Sequence, residues 1–289
     1  MISTLRSLLF VPGNQEDLHK KVMRSSPDAV VFDLEDSVGA ADKIVARVVT
    51  SKGINYLQDA KAQVKIMIRI NQIDSKWILE DIAHTVTPDV FAVLVPKVET
   101  SKEVLEIRRN LDEIGCHSIE IIAGIESATG VCNVREIIRG GAINGIYFGA
   151  EDFVTDMGGL RRDDNLEVMV PRAQIAIEAK NAKISAIDMV VANLNDSDRF
   201  IRESLEARAL GFGGKLCIHP NQVHLANEYF LPSKSEIKRA REILTAYAIG
   251  ISEKKGAISY DGELIDAPLV ERATALIALS EPSKSNGEA

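Results

Sequence analysis

The chain has 289 residues, enough for one large α/β barrel or for two smaller domains. Its 46% apolar and 26% charged residues are an ordinary soluble composition. The formal net charge of −8 leaves no basic excess to neutralise phosphates, so nucleic acid is not expected as a partner.

The apolar runs are all too short to span a membrane, and Pro12-Gly13 interrupts the N-terminal run too early for a signal peptide. We therefore predict a cytoplasmic protein with no membrane partner. Three cysteines, Cys116, Cys132 and Cys217, form no CxxC pair and are predicted to be buried and reduced.

Eight short apolar runs recur along the chain, and several are continuous rather than alternating, which is typical of parallel strands covered on both faces. They lie at residues 7–13, 29–36, 65–71, 90–99, 119–127, 145–152, 184–190 and 214–220. Stretches with helical spacing separate them, for example at 14–25, 101–115 and 196–211. Eight strands alternating with helices predict a (β/α)8 TIM barrel over residues 1–230.

A doubly wound open sheet is the main alternative to the barrel. Such a sheet usually has a glycine-rich phosphate-binding turn after its first strand, whereas the turn here, PGNQ at 12–15, has one glycine. Beyond the barrel we predict a C-terminal helical arm at 231–280, with helices at 233–256 and towards 279. A disordered polar tail is predicted at 281–289.

Charged and polar side chains follow most of the predicted strands, at the point where each strand ends. They are Asp33, Glu35, Asp36, Arg69, Asn71, Lys97, Glu99, Glu126, Glu151, Asp152 and His219. In a barrel these ends converge on one mouth, where active sites lie. Because two carboxylates about 4 Å apart repel by roughly 4 kcal/mol at an effective dielectric near 20, such a group of acids requires counter-cations.

Hard oxygen donors without a cluster of His or Cys favour Mg²⁺, or Mn²⁺, over zinc. Mg²⁺ usually takes one or two protein carboxylates, and Glu126 and Asp152, on neighbouring strands, are the expected pair. The residues expected to support this pair are Asp33, Glu35, Asp36 and Lys97. The alternative is that each acid only pairs with Arg or Lys at the barrel rim, but the shared position of the set favours a functional site.

Eight motifs carry a family resemblance, in this order: RSLLFVPGN, VFDLEDSV, IRIN, LVPKVE, GIES, FGAEDF, GFGGKLCIHPNQ and DGELIDAP. Over residues 5 to about 280 the chain resembles the citrate lyase beta subunit and its relatives, the malyl-CoA, β-methylmalyl-CoA and citramalyl-CoA lyases. The resemblance implies a TIM barrel, Mg²⁺ and reversible cleavage of a 3-hydroxyacyl-CoA thioester. It also implies a homo-oligomer, a trimer or hexamer, in which the C-terminal arm of one subunit completes the site of its neighbour.

The resemblance also assigns roles to individual residues. Glu126 and Asp152 resemble metal ligands, and Glu126 also resembles a substrate-binding residue. Arg69 resembles the arginine that holds the carboxylate of the 2-oxo acid. The backbone around Gly149, Ala150 and Glu151 resembles a substrate contact, and Phe10 and Lys21 resemble positions that meet CoA. Asp266 resembles a catalytic acid delivered across the subunit interface, although its position also suits an N-cap of the last helix.

Two departures from the family pattern bear on the substrate. Many relatives have Tyr and Asp after the seventh strand, where this chain has Val191 and Asn193, while HPNQ at 219–222 looks more like the lyases that work alone. We therefore predict a CoA-thioester lyase for citramalyl-CoA or malyl-CoA. The alternatives are a citrate lyase beta-type subunit acting on a carrier-bound citryl thioester, and a metal-dependent aldolase acting on free 2-oxo acids.

Overall fold

The protein is described from a computed structural model that covers residues 5–252 and 258–280. Eight parallel strands form a closed barrel in sequence order, and β8 pairs with β1 to close it. The strands are β1 (Ser7–Pro12), β2 (Ala29–Asp33), β3 (Lys65–Arg69), β4 (Ala92–Val95), β5 (Glu120–Ile125), β6 (Gly145–Phe148), β7 (Ser185–Asp188) and β8 (Gly214–Cys217). The predicted TIM barrel is confirmed, and the open sheet is excluded.

Helices surround the barrel and connect its strands. They are α1 (Glu16–His19), α2 (Lys43–Asp59), α3 (Ile78–Thr85), α4 (Ser101–Glu113), α5 (Ala128–Arg139), α6 (Ala150–Asp156), α7 (Leu166–Ala182), α8 (Ser197–Leu210) and α9 (Pro220–Tyr229). The end of the predicted helical stretch 196–211 is confirmed, because α8 ends at Leu210. The next residue, Gly211, has a left-handed φ of 101°, which suits a residue without Cβ.

The barrel strands bury both faces because their side chains alternate between two apolar layers. The inward-facing layer fills the barrel, and its members include Leu8, Val31, Met67, Leu94, Ile122, Tyr147, Ile187 and Leu216. The outward-facing layer packs against the helices. Just past a strand end, every second side chain still points inward, and these side chains therefore reach the barrel mouth.

Two local expectations need correction. Residues 14–25 do not form one helix, because α1 ends at His19 and a 3₁₀ turn follows at Val22–Arg24. His19 itself is buried against Phe32, with ring centroids 4.6 Å apart. Cys132 is exposed, whereas Cys116 and Cys217 are buried as predicted.

A second compact unit begins at Leu231. It contains α10 (Lys234–Ser252), the antiparallel pair β9 (Ile258–Tyr260) and β10 (Glu263–Ile265), and α11 (Ala267–Ser280). Its apolar core includes Ile243, Ile265 and Ala273. The end of the predicted helix 233–256 and the tail predicted at 281–289 lie outside the described residues. Among the described helices, none combines the length and apolar character needed to cross a membrane.

A buried ion cluster joins the barrel wall to its outer helices. The Nε and Nη2 groups of Arg172 on α7 donate to Asp188 at 3.0 and 3.1 Å. The Lys215 ammonium on β8 lies 2.8 Å from Asp188 and 3.3 Å from Glu203. All four side chains are fully buried. Burial acts to raise the pKa of Asp188, but Lys215 and Arg172 outweigh it and hold the pKa below its ordinary value.

We predict that Asp188→Ala destabilises the protein by about 3–5 kcal/mol, because it leaves two buried cations without their shared anion. Denaturant unfolding followed by far-UV circular dichroism measures the change. Asp164→Ala is the matched control, since the pair of Asp164 with Arg162 lies on the surface and should matter little. Equal stability losses in the two variants would contradict the assigned role of the cluster.

Candidate active site

Polar side chains at the carboxyl ends of the strands point into the barrel mouth. Asp33 and Arg69 each follow an inward-facing residue by two positions, and Glu126 follows Ile122 by four. Because strand side chains alternate, all three inherit the inward direction. The strand register therefore gathers them at one end of the barrel, as the sequence predicted.

Arg69 is held in a fixed orientation by acids from β2 and the loop after it. Its Nε and Nη2 groups each donate to Asp33 at 2.7 Å, and Nη1 lies 3.0 Å from Glu35. Its guanidinium also lies 5.2 Å from the centre of the Phe10 ring. Burial lowers the pKa of Arg69, but Asp33 more than offsets this and the pKa is raised well above its ordinary value. The mouth therefore has a permanent, oriented cation.

Lys97 is the second cation of the site, at a turn after β4 where its φ is 52°. Its ammonium lies 3.0 Å from Glu35 and 3.2 Å from Asp152. Burial acts to lower the pKa of Lys97, but these carboxylates overcome it and raise the pKa above its ordinary value. A protonated amine is not a nucleophile, which argues against a Schiff base at this position.

Glu126 is the most confined acid of the site and is 3% exposed. Its Oε2 accepts a hydrogen bond from the Lys97 amide at 3.0 Å. A Cβ atom on Gly149 would lie 2.4 Å from Oε1, so only glycine fits beside this carboxylate. Burial, opposed by Arg69 but reinforced by Glu35 and Asp152, raises the pKa of Glu126 to about 7. The negative charge of the Glu126 carboxylate is therefore not fully neutralised by its neighbours.

The donor set fits Mg²⁺. Within residues 5–252 and 258–280, no group of three or more His, Cys, Asp or Glu side chains is arranged to hold a metal ion. Mg²⁺ differs from zinc in needing only one or two carboxylates, with water and substrate filling its other positions. Glu126 and Asp152 supply hard oxygens, and a divalent ion would satisfy the charge that Glu126 lacks.

The predicted substrate contacts after β6 differ in what they offer. The Gly149 amide donates to the Ile125 carbonyl at 3.1 Å, so Gly149 lines the site without a free amide. Ala150 and Glu151 occupy the first turn of α6, where a helix provides no acceptor for its own amides. The Glu151 side chain is about half exposed and pairs with Arg161 at 2.9 Å.

A cavity of about 450 Å³ opens at the mouth. Its lining combines polar and apolar residues, among them Phe10, Asp33, Arg69, Glu126, Tyr147 and Asp152. This size suits a small ligand or the reacting end of a larger one. Of the predicted supporting residues, Asp33 and Asp36 line the cavity, while Glu35 and Lys97 act through their contacts with its lining.

Other predicted site residues are not among those that line the cavity. Lys21 is exposed in the connection after α1. Asp266 belongs to the second unit, where its Oδ1 accepts from the Leu269 amide at 3.0 Å and caps α11. His219, which the strand-end pattern had grouped with the mouth residues, caps α9 by accepting from the Asn221 amide.

Tyr147 is one of the lining residues that sequence reasoning missed. Its aromatic ring lies in the strand run GIYF, which we interpreted only as core. The sequence feature that could have identified Tyr147 is its spacing. It stands two positions before Gly149, and strand residues two positions apart face the same side.

The comparisons with known proteins agree with the fold. Residues 6–220 match the family described as HpcH/HpaI aldolase/citrate lyase. A citrate lyase subunit beta-like protein of Deinococcus radiodurans is 41% identical, over 95% of this chain and 96% of that protein. Human mitochondrial citramalyl-CoA lyase is 30% identical, over 96% and 86% of the two chains. The structure of CitE from Mycobacterium tuberculosis with magnesium, acetoacetate and coenzyme A gives a TM-score of 0.81 at 26% identity, covering 97% and 99%.

The raised pKa of Glu126 predicts a pH dependence of stability in the absence of divalent ions. The folded protein holds a proton on Glu126 up to about pH 7, whereas the unfolded chain releases it near 4.5. The contribution of this proton is therefore complete below pH 4.5 and is lost as the pH rises through 7. Its size is on the order of 3 kcal/mol, since each pKa unit corresponds to about 1.4 kcal/mol.

Urea unfolding in EDTA across pH 4.5–8 should show this loss in the wild-type protein and not in Glu126→Gln. Exposed Glu106→Gln is the control and should keep the wild-type profile. Parallel profiles for Glu126→Gln and the wild type would show that Glu126 titrates normally.

Proposed function

The chain belongs to the HpcH/HpaI aldolase/citrate lyase family, and from this membership and the geometry of the mouth we propose that it is a Mg²⁺-dependent carbon–carbon lyase. Its proposed substrate is a 3-hydroxyacyl-CoA thioester of the citramalyl-CoA or malyl-CoA type. The products are a 2-oxo acid and acetyl-CoA. The observation that carries the proposal is the buried Glu126, whose negative charge its neighbours do not fully neutralise. It lines the same cavity as Asp152 and Arg69.

The residues of the mouth match the needs of this cleavage. Arg69 lines the cavity and is the partner for the substrate carboxylate, which would share Nη1 with Glu35 because Asp33 takes Nε and Nη2. Glu126 and Asp152 would hold Mg²⁺, which would supply Lewis-acid polarisation of the substrate oxygens. Lys97 fixes Glu35 and Asp152.

The reaction balances as a retro-Claisen cleavage. A base removes the proton of the C3 hydroxyl, the C–C bond breaks, and its electron pair forms the thioester enolate as the hydroxyl carbon becomes a ketone. The enolate carbon then takes up a proton. We propose that Asp266 of a neighbouring subunit exchanges this proton, and that Phe10 and Lys21 contact the CoA part outside the cavity.

An apolar outer face supports the proposed homo-oligomer. On α7 the side chains of Leu166, Val170 and Ile177 are each at least 65% exposed, although the opposite face of the helix packs on the barrel. A helix that is apolar on both faces is normally covered on both. We propose that another copy of the chain covers this face, in a trimer or hexamer.

The citrate lyase beta-type reading is the second candidate, favoured by the name of the Deinococcus relative. The experiment that separates the candidates is incubation of the purified protein with Mg²⁺ and malyl-CoA, citramalyl-CoA or citryl-CoA, with detection of the 2-oxo acid. Turnover of the first two thioesters by the isolated protein supports the proposal. Activity that requires a carrier protein favours the citrate lyase reading, and activity on CoA-free hydroxy-oxo acids favours the aldolase reading.

We predict that Glu126→Gln and Asp152→Asn each lower Mg²⁺-dependent kcat by at least a hundredfold, because an amide is a much weaker ligand than a carboxylate. Their thermal stability should not fall, since each change relieves repulsion within the acid cluster. Steady-state kinetics at saturating Mg²⁺ provide the measurement, with Glu106→Gln as the control. A variant that keeps near-normal kcat would remove its residue from the proposed ligand pair.

We predict that Asp266→Asn lowers kcat strongly while changing KM little, because Asn still caps α11 but exchanges no proton. Mixing Asp266→Asn with Glu126→Gln subunits should restore part of the activity that each lacks. Native mass spectrometry confirms that the subunits have mixed. Near-normal kcat for Asp266→Asn would leave Asp266 as a cap only, and mixed oligomers without recovery would exclude a site shared between subunits.

A further inference from the structure

Tyr147 is placed at the bottom of the mouth cavity by a matched pair of residues on neighbouring strands. It stands opposite Gly124 in the register of β5 and β6. A Cβ atom on Gly124 would lie 2.4 Å from the Tyr147 hydroxyl oxygen and 2.5 Å from the ring carbon that bears it. The phenol therefore lies across a position that only glycine leaves open.

The ring of Tyr147 closes the cavity from below. Tyr147 and Leu216 belong to the apolar layer that fills the barrel, and both also line the mouth cavity. Tyr147 is 1% exposed. The phenol therefore forms part of the cavity floor, together with Leu216.

The hydroxyl of Tyr147 is buried near the Glu126 carboxylate but forms no well-aligned hydrogen bond with it or with any other described residue. Leaving such a donor unpaired is unfavourable in the empty site, so a ligand oxygen that accepts from it regains that interaction. Among the described lining residues Arg69 is the one cation against five carboxylates, so an anionic ligand fits this space together with the proposed Mg²⁺.

We propose that Tyr147 determines substrate specificity at this site, with its hydroxyl donating to an oxygen of a bound 2-oxo acid and its ring limiting that acid to short members of the class. This inference rests on the proposed function and assigns its substrate class. A pocket with an unpaired buried donor selects strongly for ligands that bring an acceptor. A closed floor admits pyruvate more readily than its longer homologues.

Calorimetric titration of 2-oxo acids into the Mg²⁺-loaded full-length protein tests the hydroxyl directly. Tyr147→Phe should weaken pyruvate binding by roughly tenfold to a hundredfold, with Mg²⁺ affinity and Tm not reduced. Exposed Tyr56→Phe is the matched control and should bind as the wild type does. Unchanged pyruvate affinity in Tyr147→Phe would overturn the proposal, and so would weaker Mg²⁺ binding with unchanged pyruvate affinity, which would assign the hydroxyl to Glu126.

The ring is tested by Tyr147→Val, which deepens the cavity. The affinity for 2-oxobutyrate relative to pyruvate should rise at least fivefold over the wild-type ratio, and an unchanged ratio would overturn the role of the ring. Absence of any 2-oxo acid binding to the wild-type protein would overturn the inference as a whole. Because these assays measure binding, failure of thioester turnover with retained, Tyr147-dependent pyruvate binding would contradict the proposed reaction alone.

Discussion

The burial of the Glu126 carboxylate is the constraint on which the rest of the barrel mouth depends. Glu126 lies at the end of an inward-facing row of β5, so its charge sits in a space that the barrel shields from water. Removing a carboxylate from water is unfavourable unless a cation or hydrogen bonds replace the lost hydration. The raised pKa of Glu126 shows that its neighbours replace only part of it.

The two cations of the mouth are already engaged by other acids. Arg69 gives two nitrogens to Asp33, and Lys97 lies between Glu35 and Asp152. These contacts orient the site and neutralise the acids at its rim, while Glu126 accepts a hydrogen bond from the Lys97 backbone amide. A divalent ion at Glu126 and Asp152 would complete this balance, and for that reason we place the metal there.

The sequence predicted the barrel and the convergence of its acids because both depend on repeating features. Eight continuous apolar runs indicate eight buried strands, and residues such as Asp33 and Glu126 stand at their ends. The hydrogen-bond partners of individual groups could not be predicted in the same way. The Gly149 amide is taken by Ile125, and this follows from strand register rather than from residue type.

Tyr147 shows a second limit of sequence reasoning. In GIYFGAED an aromatic residue has the same hydrophobic pattern whether it packs in the core or closes a cavity. The distinction comes from Gly124, which is 23 positions away in sequence but directly opposite in the barrel. Likewise, the burial of His19 depends on Phe32 and Gly53, which no local pattern links to it.

The most direct test of this account is the number of protons released when Mg²⁺ binds. At pH 6 most Glu126 side chains are protonated if the pKa is about 7, and a metal ligand must give up its proton. Calorimetric titration of Mg²⁺ into the wild-type protein, repeated in buffers of different ionisation enthalpy, measures this number. The account predicts release of about one proton per Mg²⁺ at pH 6 and almost none at pH 8.5. Mg²⁺ binding that releases no proton at pH 6 would contradict the assignment of Glu126 as a ligand.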